Sequence, residues 1–337
     1  MNNTRTWQPD EIVPKPFDFV PFAPVARADT VGHERVRGDD FISGVLELEW
    51  EALSHIAVSS GSYVLFEELG NREPGLIMGL YRVGNIPTIP GSTLKGVVRS
   101  IVEAATASCI TTTRVERRWL PIPDSSTRDG CTPAHACPAC SMFGRMNRMS
   151  KIRFGDAQPD EPIRTLGWRV KPLHNPHAND APPVYRTDNG HGQYKGRKFY
   201  RHGRMATSET DAPIEAMPRQ TRLTSKVWFT NLAPHEMGAL CFGLGLDGTI
   251  ALKLGGHKPR CLGSLGSGMI ALRLADATDF TRSDAHASKI EGEPAKDWVQ
   301  MSIQHAVKHS FLHGAQVDSL REILNYQDRA ACPPEMY

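Results

Sequence analysis

Apolar periodicity in this chain never runs far before a turn-forming residue stops it. With 29 glycines and 25 prolines over 337 residues, the stretches between breaks are the length of single strands or helices, which argues against an all-helical bundle. Residues 42–50 alternate apolar and polar side chains and read as a strand, with a possible partner at 56–66. Leu94, Val97, Val98, Ile101, Val102 and Ala105 then recur at helical spacing, and Ser92 is a good N-cap for that helix. Strand character returns at 223–230, followed by a helix at 234–245, a Gly-rich loop at 254–268 and a strand at 269–274. Helical patterns at 296–309 and 317–326 close the sequence. Residues 1–40 read as an irregular arm. Residues 156–218, rich in Pro, His, Asn and Asp, read as a surface insertion or extended hairpin. The order predicts an α+β fold with one or two ferredoxin-like units.

The formal net charge is only +2, which by itself argues against a nucleic-acid binder, but the distribution is uneven. Between residues 143 and 154 stand Arg145, Arg148, Lys151 and Arg153, with no acid. Between 194 and 204 stand Lys195, Arg197, Lys198, Arg201 and Arg204, again with no acid, interleaved with Tyr194, Phe199 and Tyr200. Bases beside aromatic rings supply what single-stranded RNA needs, charge neutralisation and stacking platforms. A solvated basic face accounts for one such run; two in a nearly neutral chain favour nucleic acid.

Two turns have the chemistry of phosphate seats. Pro90-Gly91-Ser92-Thr93-Leu94-Lys95-Gly96 sets small polar residues at a helix start, where free N–H groups and the dipole favour anions. Lys95 and Arg99 add charge there. A plain capped helix explains the same residues, and the GxxxxGK[ST] spacing of a Walker motif is missing. The loop at 255–268 carries five glycines with Lys258, Arg260, Ser264 and Ser267, and glycine lets backbone approach a ligand closely.

Cys131, His135, Cys137 and Cys140 fall within ten residues, and Cys109 lies upstream. The CxxC pair Cys137 and Cys140 places two thiolates on one tetrahedral metal, with further ligands available from Cys131, Cys109 and His135. Structural zinc is the expected cofactor. No βαβ pattern surrounds the pair, which argues against a thioredoxin-type role. Cys241, Cys261 and Cys332 look isolated. No stretch is apolar enough to span a membrane, and the first residues lack the apolar core of a signal peptide. A cytoplasmic location with reduced thiols is expected.

Taken together, residues 89–99, 137–144, 196–200 and 262–268 resemble the RAMP superfamily of CRISPR-associated proteins. The resemblance implies an RRM-like palm over residues 41–275 with a zinc knuckle inserted at 107–142 and a hairpin thumb within 156–218. Residues 276–337 would form a C-terminal helical segment. It also implies the partners: a CRISPR guide RNA, a complementary DNA or RNA target, copies of the same chain in a filament, and other effector subunits. Target-cutting relatives of type III complexes carry an aspartate between the first strand and the Pro-Gly-Ser turn. Here residues 59–87 contain no Asp, and their acids are Glu67, Glu68 and Glu73. That departure suits a non-cleaving backbone, as in type IV complexes, with a metal-dependent endoribonuclease as the alternative. His174, His177, His191 and His202 lie in or beside the basic insertion and leave a histidine nuclease as a further reading. A zinc-stabilised interaction protein without RNA is a third.

Overall fold

The computed structural model describes residues 16–30, 41–70, 75–110, 117–122, 130–170, 185–204, 212–275, 286–326 and 332. In chain order its elements are β1 (Phe17–Pro21), β2 (Ile42–Ala52), β3 (Ser59–Leu65), β4 (Leu76–Leu80), α1 (Gly91–Ala105), α2 (Pro138–Phe143), β5 (Ile152–Phe154) and β6 (Gln158–Pro159). There follow β7 (Leu166–Val170), β8 (Gly196–Tyr200), β9 (Ala212–Ala216), β10 (Arg222–Leu232), α3 (Pro234–Gly243), β11 (Leu252–Lys253), β12 (Ser264–Ala275), β13 (His286–Glu291), α4 (Glu293–Lys308) and α5 (Gly314–Leu324).

The two longest predicted strands form because their alternation is strict. In β2, Leu46, Leu48 and Trp50 are buried while Glu49 and Glu51 are exposed. In β10, Leu223, Ser225, Val227 and Phe229 are buried while Arg222, Thr224, Lys226 and Trp228 point outward. Period two puts one apolar row on one face of a sheet. The strands pair antiparallel with Trp50 opposite Leu223 and Leu46 opposite Val227. The buried Trp50 indole donates to Ser225 Oγ at 2.8 Å, which removes the cost of an unpaired interior N–H.

Around this pair grows a seven-stranded antiparallel sheet in the order β6, β10, β2, β12, β11, with β5 also on β10 and β13 on β12. α1 contributes Leu94, Val98, Ile101 and Val102 to the core, and α3 contributes Met237, Leu240 and Phe242. Where α3 meets α4, a side chain at Gly238 would bring a Cβ within 2.1 Å of the Ser302 carbonyl oxygen, so this crossing needs glycine. The open face of the sheet presents Glu49 and Glu51, opposite Thr224 and Arg222 of β10 and Gly268 and Gly266 of β12, with Glu47 further along. There Arg273 Nε and Lys226 Nζ stand 3.1 and 3.5 Å from Glu47.

Four expectations need correction. The segment near 56–66 does not pair with β2; β3 pairs with β4 in a separate hairpin. Ser92 is not the N-cap of α1, because Pro90 takes that position without a side-chain cap bond. The Gly91 N–H instead donates to Asp156 Oδ1 at 2.7 Å. Part of the supposed irregular arm is the strand β1, which pairs antiparallel with β8. The strand expected from residue 269 starts earlier: β12 begins at Ser264, inside the Gly-rich stretch. Within the insertion, β7 pairs with β9; residues 171–184 and 205–211, and with them His174 and His177, lie outside the described residues.

Candidate nucleic-acid groove and metal centre

Three segments far apart in sequence meet in one groove of about 300 Å³. α1 supplies Ser92 and Thr93 from its first turn, β8 supplies Lys198 and Tyr200, and the Gly-rich loop supplies Gly255 and Lys258. Lys253 at the end of β11 also lines it. The fold brings them together because α1 lies beside β11 and α5 beside β8. Glycine is required at the loop: Gly255 has φ +77°, and a Cβ there would meet the Ala57 carbonyl oxygen at 2.6 Å.

The groove lysines are held rather than free-swinging. Lys198 Nζ lies 4.1 Å from the Phe17 ring centre and 4.8 Å from those of Tyr185 and Tyr200. It donates to the Tyr185 hydroxyl at 2.7 Å. Such a cage fixes an ammonium with little rotamer freedom to lose on binding. Burial, with Tyr200 nearby, pushes the Tyr185 phenol up to about 12, so it stays a neutral acceptor. Lys258 Nζ donates to the Gly255 carbonyl at 2.8 Å, bracing its own loop, and burial lowers its pKa.

Most of the other bases read as RNA contacts are engaged elsewhere. Lys151 is buried and pairs with Glu236 at 2.7 Å. Arg148 donates to Thr30 Oγ1 at 2.6 Å. Arg201 spans Asp18 and Glu322 at 2.8 and 3.2 Å. Arg260 is buried. Ser264 is buried against Lys253, and Ser267 Oγ donates to the Leu244 carbonyl at 2.5 Å. Arg153 and Lys195 are exposed, and Arg145 and Lys95 are half-buried; none of these four lines the groove. Burial, with Arg99 beside it, lowers the Lys95 pKa.

Arg99 and Arg197 serve the cysteine cluster. Arg197 donates to the carbonyls of Ser108 and Cys109 at 2.8 and 3.0 Å and pairs with Glu103 at 3.2 Å. Arg99 binds Glu103 and the Gly144 carbonyl, each at 2.8 Å, and its Nη2 reaches Cys140 Sγ at 3.8 Å. The acid-free run marks Arg197, and the helix start marks Arg99, as nucleic-acid contacts; both instead bind Glu103, which is distant from Arg197 in sequence and close in space.

The four thiols of Cys109, Cys131, Cys137 and Cys140 are buried, with sulfurs within 4.8 Å of one another. Cys109 Sγ is 3.9, 3.5 and 3.7 Å from those of Cys131, Cys137 and Cys140. A tetrahedron with Zn–S bonds of about 2.3 Å has sulfur–sulfur edges of about 3.8 Å, so the donor set fits zinc. Cys109, remote in sequence, completes the set. His135 does not: its ring is half-exposed and faces Asp29 Oδ1 at 3.2 Å, outside the cluster. Hydrogen bonds among the thiols hold Cys131 well below the usual thiol range, and Cys137 is lowered to about 7. Cys261 and Cys332, expected as isolated thiols, are bonded to each other.

The histidines near the basic insertion divide. His191 is exposed. His202 is buried, with Nδ1 2.8 Å from Ser264 Oγ, and burial with Lys253 nearby lowers its pKa to about 3. A permanently neutral, enclosed imidazole cannot serve as a proton shuttle near neutral pH. Among the described residues no helix is long and apolar enough to cross a membrane.

An antiparallel α+β chain with a lysine-lined groove and a four-cysteine centre is thus what the geometry defines. The model of the RAMP superfamily matches residues 49–256, and the chain belongs to that superfamily. A search of curated proteins gives no match. Among solved structures the chain is similar to one from the "Cryo-EM structure of the Type III-B Cmr-beta bound to cognate target RNA", at 12% identity and a TM-score of 0.39, over 70% of this chain. It spans 62% of the length of that chain.

Proposed function

We propose that this chain is a guide-RNA-binding backbone subunit of a CRISPR effector complex, acting without cutting nucleic acid. The observation that carries this reading is the groove: three segments that the sequence marks separately as phosphate-facing or RNA-facing converge on its walls. Caged Lys198 and braced Lys258 offer charge to a phosphate, the first turn of α1 offers hydroxyls and the helix dipole, and Tyr200 offers a ring edge or face. The strand order β5/β6, β10, β2, β12, with α1 and α3 as the two crossovers, supports an RRM-like palm. The β7–β9 hairpin is the candidate thumb. The cysteine centre would hold one structural zinc, closing the segment between α1 and α2, with Arg99 and Arg197 offsetting thiolate charge. Copies of the chain and other effector subunits would complete a filament along the guide, and the complementary target is DNA or RNA.

Binding of a labelled single-stranded guide RNA to wild type, Lys198→Ala and Lys258→Ala tests the groove. The expected result is weaker binding by both variants with the fold retained, as checked by circular dichroism. Wild-type protein that leaves the RNA free at low salt would overturn the proposal.

A further inference from the structure

We infer that Lys253 is the interior phosphate contact of the groove, an ammonium whose counter-ion is supplied by the ligand. This rests on reading the groove as a seat for nucleic-acid backbone. Lys253 stands at the end of β11, opposite Ser264 of β12. It is only 6% exposed, yet it lines the groove. Its Nζ donates to the Cys261 carbonyl and to Ser264 Oγ, each at 3.0 Å. An ammonium has three donors, so Cys261 of the loop and Ser264 of β12 take two and one remains for a ligand.

A buried charge is ordinarily paired. Among the described residues no carboxylate pairs with Lys253. Among the described residues the charged and titratable groups around it are Lys258 from the loop, Lys198 and Tyr200 across the groove on β8, and His202 just after β8 through Ser264. The α1 wall contributes neutral Ser92 and Thr93. Every charge facing this lysine therefore has its own sign. Burial first and Lys258 second lower its pKa to about 7. The negative charge of a phosphate seated in the groove opposes the lowering by favouring the ammonium, so the site takes up a proton when it binds above neutral pH. His202, already neutral above about 3, takes no part in that window.

The sequence masks this residue. Lys253 sits in an apolar run before the Gly-rich loop, where a base reads as one surface charge, and the two-residue strand that turns it inward is too short for periodicity to reveal.

The test is the affinity of a fluorescently labelled single-stranded RNA, measured from pH 6 to pH 8.5 for wild type, Lys253→Met and Lys253→Arg. Wild-type affinity is expected to fall as the pH rises through 7, because the free lysine loses its proton. Lys253→Met is expected to bind about tenfold more weakly at pH 6, the scale of one charge-assisted hydrogen bond, and to lose the pH slope. Its melting temperature should change little, since removing a buried charge without a carboxylate partner offsets the stranding of the Cys261 and Ser264 acceptors. Lys253→Arg, charged throughout, should bind with a flat profile; a retained slope would assign the titration to another group and overturn the inference. If Lys253→Met binds like wild type while Lys198→Ala and Lys258→Ala bind weakly, the groove stands and Lys253 is not a contact. If all three bind like wild type, the groove itself is not the RNA seat.

Discussion

At the scale of single residues, Arg197 and Lys198 show how adjacent bases acquire different work. β-strand alternation sends their side chains to opposite faces. Arg197 turns to Glu103 and the carbonyls of Ser108 and Cys109, whereas Lys198 turns into an aromatic cage at the groove. Arg197→Met is therefore expected to destabilise the fold by about 2–4 kcal/mol, because it strands buried acceptors and one half of a buried ion pair. Urea denaturation measures this directly; an unchanged midpoint would remove Arg197 from the structural set. Lys198→Ala should act chiefly on the ligand, weakening RNA binding while the loss of its ring and Tyr185 contacts lowers stability by only about 1 kcal/mol. Its dependence on salt should also flatten by about 0.7 in the log–log slope, the share of one single-strand phosphate. Sequence could mark both residues as basic. It could not say which one has a carboxylate waiting in space.

At the scale of elements, the parts that were legible are those whose periodicity is long. β2, β10, α1, α3 and the two C-terminal helices all fall within a few residues of their predicted positions, because strict alternation or a helical stripe needs many residues to agree. Short elements escaped: β1 has five residues and was lost in a Pro-rich arm, and its partner β8 lies at a distance no pattern can bridge. The cysteine centre was half legible. CxxC spacing is local and was visible, but the choice between Cys109 and His135 depends on where the end of α1 lies, which is tertiary. Metal analysis is expected to give one zinc per chain, lost in Cys109→Ser and Cys137→Ser and retained in His135→Ala. Zinc surviving in Cys109→Ser would sink the four-thiol assignment. Gly91 carries a packing constraint that the sequence does not show. Its conformation is not what demands glycine; a Cβ there would stand 2.2 Å from the Phe154 carbonyl oxygen. Gly91 thus packs the start of α1 against β5, and Gly91→Ala should cost about 1–3 kcal/mol through overpacking. Thermal melting of that variant, with zinc content as a control for the neighbouring knuckle, checks it.

At the scale of the whole molecule, the question is whether the proposed complex cuts the strand it would capture. Metal-assisted cleavage needs a carboxylate placed to hold a cation beside the scissile phosphate. The segment from 59 to 87 offers glutamates where target-cutting relatives carry aspartate. Glu67 and Glu68 sit exposed on the short 3-10 turn after β3, anchored by buried Phe66, and Glu73 lies outside the described residues. Among the described residues, the group of side chains able to converge on one ion is the buried thiol cluster, and thiolates of a closed structural site leave no open position for substrate. Glutamate is one methylene longer than aspartate, and a shift of about 1 Å at a catalytic group costs on the order of a hundredfold in rate. A labelled RNA complementary to the guide, incubated with the complex and magnesium or manganese, is therefore expected to be bound and recovered intact. Regularly spaced products that disappear in Glu67→Ala, Glu68→Ala or Glu73→Ala would show that a glutamate on a shifted backbone reaches the same point, and would make this chain a nuclease.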